Sequence, residues 1–435
     1  MNLRKLMLLI IAVSSFSISA VSAQNLLDLY DIAVQQDPQF QAARANQSSV
    51  KKGEDIAGSA LLPSIGLSAN LNYIDLDVKS GPANDDDYDA QDLSVSLSQP
   101  VYRRDRWLAV DQAEIQSSTA DVNFEAAQQD LIIRLSQAYF NVLSAQDTLE
   151  FVLADKKAIA RQLDQAQQRF DVGLIAITAV YEAQAAFDQA VANEINAQNS
   201  LDNAIEVLTE IVGSQDFNLK KLIDDLPLSN PDPDDLATWT EKALAENPTV
   251  IAALNNSEVA QKEIEVQRSG HYPTVDLVGS YSIDRTESRT GSDINSSVIG
   301  LQMALPLYTG GGVTASTEKA QFDFEAAQFG VEQARRSITR QVRDAYRGVI
   351  ASISQVKALE ATMLSSQSAL EATEAGFEVG TRTIVDVLNS SRNLFSVMND
   401  YAQARYNYIL NGLLLKQAAG TLSEEDIRLV NDWLM

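Results

Sequence analysis

Cysteine is absent from all 435 residues, which excludes disulfides, thiolate chemistry and cysteine-based metal sites. Histidine occurs once, at His271, and a lone histidine makes no metal constellation. Prolines number ten, with none between Val101 and Leu226 or after Pro306. Alanine- and glutamine-rich sequence uninterrupted over such lengths predicts helices far longer than the globular mean of about 11–12 residues, and so an elongated molecule. Beyond the first residues, no stretch approaches the roughly eighteen consecutive apolar residues of a membrane helix.

Positive charge is also scarce, at 33 Lys and Arg against 59 Asp and Glu. That balance argues against binding nucleic acid or an anionic surface through a basic face. The opening residues order themselves as Arg4-Lys5, an apolar run from Leu6 to Val13, and small residues through Ala23. This is the pattern of a secretory signal peptide over 1–23. Its removal takes away Arg4 and Lys5, so 31 basic against 59 acidic residues leave a mature formal charge of −28. An exported chain of this size without cysteine must stabilise itself by packing or assembly.

Self-comparison shows a repeat. Asp37-Pro38 returns as Asn247-Pro248 and Leu62-Pro63-Ser64 as Tyr272-Pro273-Thr274, both 210 residues on. Pro100-Val-Tyr102 returns as Pro306-Leu-Tyr308 after 206 residues, and Ala138-Tyr139 as Ala345-Tyr346 after 207. Phe170-Asp-Val-Gly173 is echoed by Phe377-Glu-Val-Gly380, again at 207. The constant order implies a tandem duplication, with copies over 24–213 and 237–420 joined by a Pro-containing linker over 214–236 and followed by an acidic tail over 421–435.

Each copy begins with a short helix stopped at Asp37-Pro38 or Asn247-Pro248, where Asp or Asn caps the next helix and Pro takes its first position. Beyond Pro63 and Pro273 the apolar period falls to two: Ile65, Leu67, Ala69, Leu71, Tyr73, and Val275, Leu277, Gly279, Tyr281, Ile283. Polar loops over 77–92 and 284–296 follow, and alternating runs return to Pro100 and Pro306. The predicted strand hairpins span 65–101 and 275–307, each run about the length of a tilted strand crossing a bilayer. Four strands cannot close a barrel, and lipid does not tolerate open edges. Other copies must close it: two would give eight strands with a filled interior, three would give twelve and a lumen.

Long helices are predicted over 103–170 and 313–377, each about 100 Å if unbroken. The lone glycines Gly173 and Gly380 read as left-handed residues closing one helix before the next returns antiparallel. Return helices of about 35 residues then run to Gly213 and Gly420.

Strand hairpins carried on very long helices, duplicated in tandem behind a signal peptide, resemble the outer membrane factor (outer membrane efflux protein) family over essentially all of 24–420. The most specific residues are Val379-Gly-Thr-Arg-Thr-Ile-Val-Asp-Val-Leu388, Arg169-Phe-Asp-Val-Gly-Leu-Ile-Ala-Ile-Thr178, Leu61-Leu-Pro63 and Ala404-Arg-Tyr-Asn-Tyr408. The resemblance implies a mixed membrane β-barrel and α-helical barrel: a homotrimer with a 12-stranded barrel in outer-membrane lipid, continued by a 12-helix periplasmic tunnel closed at the tips. It also implies a periplasmic adaptor (membrane fusion) protein and an inner-membrane transporter of RND, ABC or MFS type as partners.

The same resemblance nominates site residues. Asp386 would stand three-fold around the narrowest point of the pore, where like charges attract cations; read alone, it is a carboxylate suited to a helix N-terminus. Members carry a second acid one turn further on, where this chain has Asn389. Arg382 matches the arginine that ties the inner tip to the neighbouring outer tip. Its usual partners are altered: Phe377 stands for a tyrosine and Ala179 for an aspartate, while Thr178 is kept. Glu182, three residues on and on the same helical face, is the candidate acceptor; otherwise it is a solvated surface charge. Gly173, Leu174, Gly380 and Thr381 match tip residues that meet the adaptor.

Tyr102 and Tyr308 are either an interfacial aromatic girdle or strand-end tyrosines packed on neighbours. Asp85-Asp86-Asp87 lacks calcium-loop spacing and reads as solvated loop. No nucleophile–base pair, metal-spaced cluster or phosphate loop supports an enzyme, and no cofactor is expected. The function expected is a passive exit duct passing drugs, toxins or secreted proteins out of the periplasm. The alternative is a periplasmic scaffold without channel activity, which would explain the helices but not the strands.

Overall fold

The computed structural model describes residues 24–81, 86–213, 217–288 and 291–435. The signal-peptide reading falls on 1–23, outside them. Nine α-helices and four strands are formed among the described residues. The first half runs α1 (Leu26–Gln36), α2 (Pro38–Ser59), β1 (Ser64–Leu76), β2 (Asp86–Tyr102), α3 (Arg104–Asp171) and α4 (Ile177–Val212). The second runs α5 (Leu236–Glu246), α6 (Pro248–Arg268), β3 (Thr274–Thr286), β4 (Ser292–Ala304), α7 (Gly312–Glu378) and α8 (Ile384–Ala419), and α9 (Glu424–Asn431) closes the chain. The order helix, helix, strand, strand, helix, helix thus occurs twice.

The Asp-Pro and Asn-Pro corners act as their chemistry dictates. Asp37 accepts from the Phe40 amide at 2.9 Å and Asn247 from that of Thr249 at 2.9 Å, each with proline opening the helix that follows. Helices α3 and α7 have 68 and 67 residues, about 100 Å each. Helix α4 returns along α3 and α8 along α7. No helix among the described residues is long and apolar enough to cross a membrane.

The four strands form one antiparallel sheet in the order β1-β2-β3-β4, so the two hairpins are themselves joined through β2 and β3. One face carries Leu67, Val95, Tyr281 and their neighbours in register. Leu67, Leu71, Ile299 and Leu301 are each 71–81 % exposed. The opposite face carries hydroxyls: Ser68 and Ser94 lie 2.7 Å apart, Ser94 faces Ser282, and Ser282 lies 3.0 Å from Ser296. A sheet whose apolar face and polar face are both uncovered is shaped for two different environments.

The strands differ from the sequence reading at their ends. Three of them extend into the polar segments, β2 from Asp86, β3 to Thr286 and β4 from Ser292, because polar side chains there pair across the ladder. Asn70 bonds Asp92 at 2.9 Å, and the Tyr73 hydroxyl bonds Asp87 at 3.1 Å. Asp86 and Asp87 therefore belong to β2, while Asp85 lies outside the described residues. At the other end β4 stops at Ala304, short of 307, and Pro306 and Tyr308 follow outside any strand. Tyr102 packs edge-on against Trp107, ring centroids 5.7 Å apart, whereas Tyr308 is exposed.

The main core lies midway along the molecule, where α1, α5, α9 and the segment after residue 217 wrap α3 and α8. Tyr139 and Phe140 of α3 are buried there, and the Tyr139 hydroxyl donates to the Lys220 carbonyl at 2.8 Å. The linker is not free-running. Gln24 bridges Leu219, Leu222 bridges Leu434, and the Ile223 amide donates to the Trp433 carbonyl at 2.9 Å. Both ends of the described chain are thereby knitted to the junction between the halves.

Candidate gate at the helical tips

Far from the sheet, both long hairpins turn on the same device. At the first tip Gly173 has φ 75°; its amide donates to the Phe170 carbonyl and that of Leu174 to Arg169, both at 2.8 Å. At the second, Gly380 has φ 78°, with Gly380 bonded to Phe377 at 3.2 Å and Thr381 to Gly376 at 2.8 Å. These are Schellman turns, which need a residue tolerant of the left-handed region and satisfy the last helical carbonyls. Leu174, Gly380 and Thr381 are consequently exposed, as is Gly173.

Asp386 sits in the first turn of α8 and closes a capping box with Thr383. It accepts from the Thr383 amide and hydroxyl, each at 2.9 Å, while its own amide donates to the Thr383 hydroxyl oxygen at 3.2 Å. The Thr383 amide, then its hydroxyl and the Arg382 charge, hold this carboxyl below the ordinary value. Asp386 is therefore ionised and fixed in direction within the protomer. Asn389 lies one turn on and is exposed.

Arg382 folds its stem over Gly376; a Cβ on that glycine would meet the Arg382 Cγ at 2.8 Å. Only a glycine there lets the arginine lie back on α7. Thr178 and Glu182 are exposed on the first turns of α4. Within the protomer, among the described residues, Arg382 forms no ion pair with Glu182.

A different arginine joins the two tips inside one chain. Arg169, in the last turn of α3, lies over the Phe377 ring at 4.4 Å and donates to the Phe377 carbonyl at 3.3 Å. Phe377 is buried with Ile159, Ile384 and Val387, so the contact combines cation–π attraction with packing. Sequence reading placed Arg169 in the tip motif but gave it no role. The available signal is a basic residue in the last turn of the helix that leads into the hairpin.

A two-faced membrane-length sheet mounted on paired helices that end in tight turns defines a channel protein of the outer membrane, not an enzyme. The chain belongs to the outer membrane efflux protein family, whose model matches residues 29–214 and 239–421. It is 42 % identical to outer membrane protein TolC of Vibrio cholerae over 418 residues, covering 95 % of this chain and 94 % of that protein. It is 36 % identical to TolC of Escherichia coli, covering 99 % and 90 %, and 30 % identical to the alkaline protease secretion protein AprF of Pseudomonas aeruginosa, covering 94 % and 87 %. Among solved structures it resembles the Campylobacter jejuni CmeC outer membrane channel, with a TM-score of 0.81 at 16 % identity, covering 95 % and 90 %.

Proposed function

We infer that the protein is an outer-membrane exit duct serving efflux and type I secretion, conducting cargo passively from periplasmic machinery to the exterior. The observation that carries this reading is the sheet: apolar residues exposed on one face and serines on the other, set on helices of about 100 Å. Lipid would take the first face and a water-filled lumen the second.

The finer reading is a homotrimer, built from chains that arose by tandem duplication over 24–213 and 237–420. The sheet's open edges, β1 and β4, favour closure by further copies, and three would give twelve strands around a lumen. Twelve helices from α3, α4, α7 and α8 of three copies would continue the duct into the periplasm. In that assembly Asp386 rings the entrance and sets cation preference. Arg382 ties the inner tip to Thr178 and Glu182 of the outer tip on a neighbouring copy, with Phe377 backing it. Asn389 leaves the entrance with fewer charges. Gly173, Leu174, Gly380 and Thr381, exposed at the turns, are the seats for a periplasmic adaptor working with an RND, ABC or MFS transporter. AprF, named for protease secretion, supports the secretion branch.

The test is single-channel recording of the purified protein in planar bilayers, beside a size measurement in detergent. Small cation-selective currents from a particle of three chains are expected. Folded protein that carries no current would overturn the duct and leave a scaffold.

A further inference from the structure

Inside the protomer α3 lies antiparallel along α8. Gln129 donates to the Gly420 carbonyl at 3.2 Å, Phe140 stacks on Tyr406 with centroids 5.5 Å apart, and Thr148 donates to Asn399 at 2.6 Å. This seam joins the first half of the chain to the second, and its α3 side is closed: Gln129, Ile133, Ser136 and Phe140 are each at most 9 % exposed.

The two halves correspond at a separation of 207 here, as Tyr139 to Tyr346, Gly173 to Gly380 and Gly213 to Gly420. The α7 counterparts of those four buried residues are Arg336, Arg340, Arg343 and Arg347, and all four are exposed. On α4, the counterparts of Leu413 and Gln417 are Glu206 and Glu210, also exposed. A surface that is buried in one half thus stands open in the other, and its two open sides carry opposite charge in a chain of net −26.

We propose that the arginine stripe of α7 is the seat of α4 from a second copy of this chain, with Arg336 against Glu210 and Arg340 against Glu206 of the neighbouring copy. The register follows from the internal seam: Gln129 and Thr148 meet Gly420 and Asn399 in opposite order, so Arg347 falls beside Asn199 and Asp202. A groove of about 610 Å³ between α5 and α7, lined by Leu244 and these arginines, lies where the end of α4 arrives. Arg336 and Arg340 now hold only exposed partners one turn away, Glu332 at 2.6 Å and Asp344 at 3.4 Å. Arg343 and Arg347 form no ion pair among the described residues. Such exposed pairs are weak and readily exchanged.

The chemistry also explains the difference between the two seams. The seam inside the protomer closes as the chain folds and can be apolar. The seam between copies is uncovered until assembly, and an apolar stripe there would invite aggregation in transit, whereas a charged one stays solvated until its complement docks.

The proposal rests on the oligomeric reading above, and the test separates the two. In this cysteine-free chain, Arg340→Cys is combined with Glu206→Cys, or, as a control, with Asp188→Cys, about 27 Å further along α4. Oxidation or a short thiol–thiol linker is expected to yield covalent dimers and trimers from the first pair and none from the second. Separately, Arg340→Glu is expected to lower the assembled fraction several-fold and Glu206→Arg in the same chain to restore it. Assembled particles of three chains with no cross-link from the first pair, and no rescue by the charge swap, would overturn the seam while leaving the duct. Folded monomers from the wild-type chain would overturn both.

Discussion

The Tyr406 hydroxyl donates to the Asp147 carboxylate at 2.6 Å across the α3–α8 seam. Burial pushes this carboxyl up from the ordinary value of 3.8, against the pull of the Tyr406 hydrogen bond and Lys221. A carboxyl raised in the folded state binds its proton more tightly there than in the unfolded chain. Its contribution to stability is therefore greatest below 3.8, declines as pH rises through the raised value, and is level above it. Asp147→Asn keeps an acceptor for Tyr406 and is expected to flatten that decline without lowering the thermal midpoint at neutral pH. Tyr406→Phe leaves the charge half-buried without its donor and is expected to cost about 1–3 kcal/mol. Thermal melts across the acid range check both.

Gly213 and Gly420 end α4 and α8 with φ 73° and 76°, but their surroundings differ. A Cβ at Gly213 meets nothing nearer than Gln36 at 3.8 Å, whereas one at Gly420 would come within 2.6 Å of the Asn247 Cα and the Glu246 carbonyl oxygen. Gly213→Ala should cost only the left-handed strain, about 1–2 kcal/mol. Gly420→Ala must also displace the corner between α5 and α6, so its melting midpoint should fall clearly further. Equal losses would mean that the corner yields without cost.

The two faces of the sheet predict opposite phenotypes for neighbouring residues. Leu67→Arg puts a charge on the apolar face and is expected to cost about 2–4 kcal/mol near the bilayer midplane, read as loss of the protein from outer membranes. Ser68→Arg places the same side chain on the serine face, where water can hydrate it. Membrane levels should hold while single-channel conductance falls. Loss of the protein in both variants would argue that the serine face is also covered.

Much of this was legible in the sequence because the signals are local. The Asp37-Pro38 and Asn247-Pro248 corners, the period-two runs after Pro63 and Pro273, and the lone glycines at 173 and 380 each act through chemistry within a few residues. The strand ends differ from the sequence reading because polar residues such as Asp87 and Asp92, which read as loop, still pair across the ladder with Tyr73 and Asn70. What stayed hidden depends on distant chain. The pairing of β2 with β3, the stitching of Leu222 to Leu434, and the Arg169–Phe377 contact leave no periodic trace. Gly376 carries no signal in the sequence for the same reason: only the packed turn shows that Arg382 needs the space above it.

At the tips, charge and capping can be separated by choice of substitution. Asp386→Ala removes both the carboxylate side of the capping box and the charge, so it is expected to lose about 0.3–1 kcal/mol of stability together with cation preference. Asp386→Asn keeps an acceptor for the Thr383 amide and should lose the preference at a smaller stability cost. Arg382→Ser is expected to raise conductance by freeing the inner tip, and Gly376→Ala to do so in part by pushing the Arg382 stem off α7. Glu182→Gln should raise conductance too, if Glu182 of the outer tip is what Arg382 holds. Bilayer recordings of the five variants beside wild type decide the assignment. An unchanged Glu182→Gln next to a leaky Arg382→Ser would remove Glu182 from the gate and leave the Thr178 hydroxyl as the acceptor. Unchanged ion selectivity in both Asp386 variants would reduce that residue to a helix cap.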